Sequence, residues 1–196
     1  MNIPKVRLAE KHEKERLLGT ILLGFSSDPF VRWLWPGASD YLKCTPGFDA
    51  FGSGSVETGS AYITENFEGA ALWFPPGHTF DEDKFGVFLE ATADKAVFED
   101  AFRVFESMDN YHPHESCWYL PLIAVDPAHQ GAGFGAELMK HALKRIDDEG
   151  LPSYLEFTNK RNISLYERHG FEKMGEIQFG TSPVVTPMFR NSKAEK

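Results

Sequence analysis

The feature that most constrains the fold is an apolar run that ends in a glycine-rich loop. Residues 118–125 read Trp-Tyr-Leu-Pro-Leu-Ile-Ala-Val, the nearly continuous apolar segment that a buried central strand requires. Pro121 has no N–H to donate to a neighbouring strand, so we expect a bulge or a splayed edge there. The run therefore predicts a central strand that pairs irregularly with its neighbours.

The loop after this strand leads directly into a predicted helix. Residues 126–136 read Asp-Pro-Ala-His-Gln-Gly-Ala-Gly-Phe-Gly-Ala, and residues 134–149 place apolar side chains on one helical face before Gly150. Glycines leave backbone N–H groups uncovered, and the positive end of the helix dipole lies beside them. This arrangement predicts an anion cradle whose natural occupant is a pyrophosphate. The alternative is a flexible loop that only turns the chain.

A dinucleotide-binding fold is the main rival interpretation of the loop. Gly131, Gly133 and Ala136 fit the dinucleotide fingerprint, and Glu156 lies near the spacing of a ribose-binding acid. That fingerprint places its first glycine in the turn directly after the strand, whereas Gly131 comes later. A dinucleotide fold also needs further βα units, and too little chain follows Glu156 to form them. We therefore reject the dinucleotide interpretation.

From the apolar run at 118–125 onwards, the second half of the chain is predicted to run strand, helix, strand, helix, strand, strand. An amphipathic helix is expected over residues 12–25, a glycine-rich loop over 47–59 and a hairpin over 60–74. One or two helices are expected over 85–108. The later elements are a strand at 154–157, a short helix at 164–169, and a final antiparallel pair at 171–179 and 184–189.

Composition narrows the function classes. The formal net charge of -9 argues against non-specific binding to nucleic acid or anionic membranes, because both need a basic face. Cys44 and Cys117 are the only cysteines, too few for a disulfide framework or a thiolate zinc site. The apolar run near the N-terminus is too short to span a membrane. We therefore expect a cytoplasmic protein of one domain without a metal site.

The glycine loop and the segments around it resemble one family. Residues 130–135, Gln-Gly-Ala-Gly-Phe-Gly, match the Q/R-x-x-G-x-G/A signature of the GNAT N-acetyltransferases. Residues 155–171 hold Leu-Glu, an asparagine, Tyr-Glu-Arg and Gly-Phe, which look like the family's next strand and tyrosine-bearing helix. With Ala-Leu-Trp-Phe-Pro-Pro-Gly at 71–77, the chain is similar to the branch that contains puromycin N-acetyltransferase, without implying puromycin as substrate.

The resemblance implies a fold and an organisation. The fold is α/β (α+β), with a mixed, mainly antiparallel central sheet of about seven strands, splayed central strands and flanking helices. One N-acetyltransferase domain covers residues 1–196, with an acceptor-side half at 1–115 and an acetyl-CoA-binding core at 116–190. The expected co-substrate is acetyl-CoA and the expected partner is a small-molecule amine, without metal, nucleic acid or membrane. The chain is expected to be a monomer or a homodimer.

The resemblance also assigns residues to the coenzyme. In the family the pantetheine arm pairs with the exposed edge of the splayed strand, and the pyrophosphate lies on the loop amides. The cofactor-binding residues that this implies are Leu122, Ile123, Ala124, Val125, Gln130, Gly131, Ala132, Gly133, Phe134, Gly135, Ala136, Asn162 and Tyr166.

Tyr166 matches the family tyrosine that gives a proton to the departing sulfur. A phenol with a pKa near ~10 stays protonated at neutral pH and can protonate a thiolate. The alternative is a core tyrosine that packs its helix against the sheet. Asn162 either hydrogen-bonds the pantetheine arm or caps the short helix.

Glu156 is our first choice for the general base that deprotonates the acceptor amine. Its predicted strand runs beside the thioester, where burial would raise its pKa towards the working pH. The alternative is that Glu156 is only a solvated carboxylate on the strand. The proton would then be taken by His114, Glu115 or a water.

The acceptor side offers aromatic residues that either line a pocket or only fill the core. They are Phe30, Trp33, Trp35, Phe48, Phe51 and Trp73. The resulting hypothesis is an N-acetyltransferase that acetylates a primary amine of a small molecule. The alternatives are a peptide or protein N-acetyltransferase, and a non-catalytic acyl-CoA-binding sensor.

Overall fold

The computed structural model describes residues 5–193, which form one seven-stranded sheet with helices on both faces. The strands are β1 Val6–Leu8, β2 Ala61–Thr64, β3 Gly69–Phe74, β4 Trp118–Val125, β5 Ser153–Phe157, β6 Glu172–Lys173 and β7 Thr186–Arg190. They lie in the order β1-β2-β3-β4-β5-β7-β6. Neighbouring strands are antiparallel except for β4 and β5, which are parallel. The predicted mixed, mainly antiparallel sheet is confirmed.

The central strands β4 and β5 separate after a short paired segment. Only Trp118–Leu120 of β4 pairs with β5, and the pairing stops at Pro121. The register between β3 and β4 also shifts between Leu72 and Phe74, which leaves one extra β4 residue there. Because Pro121 donates no hydrogen bond, the ladder breaks where the sequence predicts it. The predicted splay and the predicted bulge are both confirmed.

The helices cover the two faces of this sheet. They are α1 Lys14–Gly24, α2 Pro29–Leu34, α3 Ala38–Tyr41, α4 Thr45–Gly52, α5 Gly54–Glu57, α6 Glu82–Thr92, α7 Phe98–Tyr111, α8 Phe134–Asp148 and α9 Ile163–Arg168. Helices α8 and α9 pack on one face, whereas α1 and α4 contact β4 on the other. No helix of the described part of the chain is long and apolar enough to cross a membrane.

The glycine-rich stretch at 47–59 is not a loop, so that prediction was wrong. It forms most of α4 and all of α5. A Cβ on Gly47 would clash with the Phe88 ring, and one on Gly52 would lie 2.7 Å from the Leu122 side chain. These glycines allow close packing of a helix against its neighbours rather than a turn. The final antiparallel pair is also shorter than expected, with β6 reduced to two residues and one isolated bridge from Ile177 to Val185.

The bulge in β4 changes which side chains face each side of the sheet. Trp118 and Leu120 belong to the core under α8, whereas Leu122 and Ala124 belong to the core on the other face, under α1. Without the bulge, strict alternation would put all four side chains on the same face. The second half of β4 is thereby turned relative to the first, at the position where β5 leaves it.

Candidate active site

A cleft of about 510 Å³ lies where β4 and β5 part. It connects the glycine loop and α9 on one side with α2, α4, α6 and α7 on the other. Every residue predicted to bind the coenzyme lines this cleft except Ala132, which is exposed on the loop. The sequence prediction therefore identified residues that the fold brings together around one cavity.

The glycine loop presents backbone N–H groups to the end of this cleft. Gly131 and Gly133 have φ angles of 77° and 93°, in the left-handed region that favours glycine. Among the described residues, no backbone or side-chain acceptor bonds the N–H groups of Gly131, Ala132 or Gly133. The first N–H groups of α8 add to this set because a helix start has no intrahelical acceptors. The loop therefore offers backbone N–H groups of the kind that can bind a pyrophosphate.

Side chains around the loop fix its shape rather than bind an anion. Gln130 Nε2 donates to the Val125 carbonyl over 3.1 Å, which ties the loop to the end of β4. Asp126 accepts from Ala128 N over 2.9 Å and holds the turn that follows the strand. His129 is exposed and lies beside Asp126, with 3.5 Å between Nδ1 and Oδ2.

The edge of β4 beyond Pro121 faces the cleft. Residues Leu122–Val125 pair with β3 on one side, but β5 has moved away on the other. In an antiparallel ladder, each strand directs half of its N–H and C=O groups away from that partner. Apart from the Val125 carbonyl, which accepts from Gln130, those groups of β4 are open to a ligand that runs through the gap, as a pantetheine arm does in the GNAT family.

Glu156 lies on β5 beside the gap, and its side chain is half-buried against two tyrosines. Burial raises the pKa of Glu156 to about 7, and hydrogen bonding from the Tyr154 and Tyr119 phenols counteracts part of that rise. Tyr154 Oη nevertheless makes no hydrogen bond of regular geometry to any described residue, so this contact is a weak one. A carboxyl with a pKa near neutrality can accept a proton at working pH and release it again.

The surroundings of Glu156 are aromatic. Tyr119 and Tyr154 are opposite each other in the β4–β5 register, and their ring centroids are 5.9 Å apart. His112, at the end of α7, packs edge-on to both rings at 5.0 and 4.9 Å. Burial lowers the pKa of His112 and raises the pKa of both tyrosines, so all three side chains are neutral at pH 7.

Tyr166 approaches the cleft from the opposite face of the sheet. Its ring packs on Phe157 at 5.5 Å and belongs to the core under α8. Burial raises the pKa of Tyr166 well above its usual value, with a further contribution from the Asp28 carboxylate, whereas Asn162 lowers it. The phenol therefore stays protonated at every physiological pH, and it also packs its helix against the sheet.

Glu156 and Tyr166 therefore face one cleft from its two sides. Glu156 projects from β5 towards Tyr119 and Tyr154, and Tyr166 projects from α9 on the other face. The alternation of β5 does point Glu156 away from the Tyr166 face. The gap between β4 and β5 opens the sheet between its two faces, and both residues line the resulting cleft.

Asp28 is a cleft residue that the sequence prediction missed. Its Oδ1 accepts from the N–H groups of Phe30 and Val31 at 3.0 Å each and caps α2, while its Oδ2 accepts from Thr158 Oγ1 at 2.5 Å. Asp28 thereby ties α2 to the end of β5. Burial raises the pKa of Asp28. The Asp-Pro pair at 28–29 is a signal for the start of a helix, and it predicts that Asp28 caps α2.

The acceptor side of the cleft is aromatic, and some of the candidate rings both line it and pack in the core. Phe30, Trp35, Phe48 and Phe51 line it. Trp33 instead donates its Nε1–H to Thr181 Oγ1 over 3.1 Å, and Trp73 is fully buried in the core under α8. The wall is completed by residues that were not predicted, Phe25, Phe85, Phe105 and Met108.

The remaining candidates lie away from this side. His114 and Glu115 are exposed, and neither lines the cleft. Within residues 5–193, no three His, Cys, Asp or Glu side chains come together as metal ligands.

Arg161 and Arg168 line the cleft near the start and end of α9, and sequence reasoning did not single them out. They supply positive charge on the side of the glycine cradle.

The sequence of this region matches a family model, and known proteins are similar to the chain. The model of the acetyltransferase (GNAT) family matches residues 98–171, which include β4, the glycine loop, α8, β5 and α9. An uncharacterized N-acetyltransferase of Schizosaccharomyces pombe is 24% identical over 178 residues, covering 83% of this chain and 72% of that protein.

Two solved structures show the same fold over nearly the whole chain. A structure titled histone acetyltransferase HPA2 and related acetyltransferase, from Corynebacterium glutamicum, has a TM-score of 0.68 at 23% identity and covers 98% of both chains. A polyamine N-acetyltransferase of Drosophila melanogaster, which forms N-acetylagmatine, has a TM-score of 0.62 at 17% identity and covers 96% of this chain and 100% of its own.

Proposed function

Because this chain belongs to the GNAT family of acetyltransferases, we propose that it transfers the acetyl group of acetyl-CoA directly to a primary amine of a small molecule. The observation that carries the proposal is the opposed pair Glu156 and Tyr166 in the cleft between β4 and β5. A polyamine acetyltransferase among the similar structures agrees with an amine acceptor. The more specific likeness to the puromycin N-acetyltransferase branch stays a prediction.

The glycine cradle and the free edge of β4 position the substrate thioester. The N–H groups of residues 131–136 bind the pyrophosphate, and the open edge of Leu122–Val125 binds the pantetheine arm. Asn162 lies beside the Tyr166 phenol, where its amide can hold both that phenol and the arm. This places the acetyl group at the gap, between Glu156 on one face and Tyr166 on the other.

Glu156 removes the proton that keeps the amine unreactive. An alkylammonium has no lone pair, so its proton must leave before nitrogen can bond to the thioester carbon. The new N–C bond forms as the carbonyl oxygen takes on negative charge, which the backbone N–H groups at the β4 edge stabilise. The tetrahedral intermediate then collapses, so that the carbonyl forms again and the C–S bond breaks with its electron pair leaving on sulfur. The nitrogen loses its second proton to water as the amide forms, and the released thiolate takes up a proton from water.

Tyr166 stabilises the departing sulfur. Its raised pKa keeps the phenol protonated, so it always has a hydrogen to offer. The same raised pKa makes complete transfer of the proton to a free thiolate unfavourable. The hydrogen bond from the phenol is therefore the main stabilisation of the sulfur. The phenol thereby lowers the energy of the charge that develops on sulfur as the C–S bond breaks.

Release of free coenzyme A against a panel of primary amines tests this function. We expect thiol release that depends on the amine, together with an N-acetylated product detected by mass spectrometry. Calorimetry should show acetyl-CoA binding and no binding of nicotinamide dinucleotides. If acetyl-CoA binds and no small amine or peptide supports release, the acyl-CoA sensor replaces the enzyme. If only peptides support release, the peptide or protein N-acetyltransferase does.

A further inference from the structure

The acceptor side of the cleft is a continuous aromatic wall. The Phe51 ring lies 4.9 Å from Phe85 and 6.4 Å from Phe105, and Phe85 and Phe105 are 5.3 Å apart. These three rings are only half-buried, although each is large and apolar. Helices α6 and α7 carry two of them over the cleft. Half-exposed rings in a concave wall leave apolar surface that a ligand can cover.

The charges on this side are few and of one sign. Among the described residues that line the cleft, the acidic ones are Asp28 and Glu156, and the arginines, Arg161 and Arg168, lie on the coenzyme side. Asp28 is already occupied by two backbone N–H groups and Thr158. Among the described residues that line the cleft, Glu156 therefore carries the one carboxylate that can pair with an ammonium group.

We infer that the acceptor is a monoamine with an apolar aryl or alkyl body, and that the aromatic wall rejects acceptors with a second charge. The inference rests on the proposed acetyltransferase function and names its substrate class. An ammonium group at the far end of the acceptor would be buried against rings without a carboxylate partner, which is costly. A carboxylate on the acceptor would be placed near Glu156 without a cation.

Matched pairs of acceptors test the inference on the intact protein. n-Hexylamine and 1,5-diaminopentane have the same length, and they differ by a methyl group in place of an ammonium group. We expect kcat/KM for hexylamine to exceed that for the diamine by about 100-fold or more. Within the n-alkylamines, kcat/KM should rise about fourfold for each added methylene, until the wall is covered. 2-Phenylethylamine should likewise exceed phenylalanine, which adds a carboxylate.

A charged residue placed in the wall should change this preference. Phe105→Glu gives the second ammonium a partner, so the ratio of kcat/KM for hexylamine to that for 1,5-diaminopentane should fall at least tenfold. Phe102→Glu is the matched control, because Phe102 lies on the same helix but is 60% exposed on its outer surface. The control should keep the wild-type ratio. Circular dichroism and acetyl-CoA affinity check that both variants are folded.

The outcomes separate this inference from the proposed function. Amine-dependent release of coenzyme A with equal or better use of 1,5-diaminopentane would overturn the apolar-monoamine class and leave the acetyltransferase intact. Absence of release with every amine, at saturating acetyl-CoA, would instead remove the enzyme function. If Phe105→Glu does not fold, Phe105→Leu provides a second test, with the expected loss confined to long and aromatic amines.

Discussion

The two sides of the cleft offer different kinds of groups to the ligands that we propose. The proposed coenzyme side offers backbone groups, namely the N–H groups of the loop at 131–136 and the open edge of Leu122–Val125. The proposed acceptor side offers side chains of α2, α4, α6 and α7, which are separate in the sequence. A site made of backbone groups needs residues that leave the main chain accessible. A wall made of side chains needs only large side chains at the right positions.

This difference predicts unequal tolerance to substitution. The coenzyme side should fail when a side chain is added to the cradle, because the ligand approaches the main chain itself. The acceptor side should accept many changes and respond with altered substrate preference, as a wall of several rings shares its contacts among them. The same enzyme can then keep its chemistry while its acceptor changes.

The largest expected effect is the loss of acetyl-CoA binding in Gly133→Asp. The side chain would enter the cradle with a negative charge, where the pyrophosphate needs open N–H groups. We expect calorimetry to detect no acetyl-CoA binding, which corresponds to a loss of affinity of more than about 10³-fold. A Cβ at Gly133 meets nothing within 4 Å, so loss of binding would not come from a clash with the protein.

Gly150→Asp is the matched control for backbone strain. Gly150 has a φ of 66° against 93° at Gly133, and a Cβ there also meets nothing within 4 Å. Both variants therefore force a side chain to a positive φ, at a cost of about 1–2 kcal/mol. Only the cradle variant should lose acetyl-CoA affinity. Equal losses in the two variants would contradict the backbone-recognition model.

The sequence predicts the backbone geometry of the proposed coenzyme side well because its signals are local. Pro121 marks the end of the β4–β5 pairing, and glycines at 131 and 133 mark left-handed turns next to a helix start. Each of these residues restricts its own backbone whatever surrounds it. The apolar pattern of 118–125 in addition identifies the buried central strand.

The acceptor side is predicted less well because its geometry is made by tertiary packing. Trp73 and Phe51 look alike in the sequence, yet one is fully buried under α8 and the other lines the cleft. Gly47 and Gly52 suggested a loop and instead allow α4 to pack closely. Nothing local distinguishes an aromatic residue in the core from one at a cavity, since both are apolar and lie on helices or strands.

The next largest effect concerns Glu156→Gln, which keeps the shape of the side chain and removes the base. We expect the rate at pH 7 to fall about 10³-fold. The loss should shrink as pH rises through the pKa of the acceptor, when the free amine no longer needs a base. A pH–rate profile with one fixed amine measures this. A variant profile superimposable on that of the wild type would remove Glu156 from the reaction and turn attention to His114, Glu115 or a water.

The stability of Glu156→Gln provides a readout without substrate. The folded carboxyl keeps its proton up to about pH 7, whereas the same group in the unfolded chain ionises near 4.5. The folded state thus binds more protons between these pH values, and stability falls as pH rises through that window. The glutamine variant lacks this titration. The difference in Tm, variant minus wild type, should therefore be larger at pH 8 than at pH 4.

Tyr166→Phe should have a smaller effect, because it removes a hydrogen bond and not the base. We expect kcat to fall about 10²-fold with little change in acetyl-CoA affinity. The ring remains to pack on Phe157, so the variant should fold normally. Turnover equal to that of the wild type, with chemistry shown to be rate-limiting, would leave Tyr166 with its packing role alone.

The smallest expected effect is a shift of the pH–rate profile in Tyr154→Phe. The Tyr154 phenol lowers the pKa of Glu156, so its removal should raise that pKa and move the acidic limb of the profile to higher pH. Because Tyr154 Oη makes no regular hydrogen bond, we expect a shift of less than about one pH unit and little loss of stability. Tyr119 remains beside the carboxyl and limits the change.

A double-mutant cycle decides whether Tyr154 acts through Glu156. The acidic limb should move only where the glutamate is present, so Tyr154→Phe should add no shift in the Glu156→Gln background. A shift of the same size in both backgrounds would show that Tyr154 acts on another titrating group, with His112 the nearest candidate. A shift to lower pH in the single variant would contradict the expected direction, and the aromatic surroundings of Glu156 would then not set its protonation.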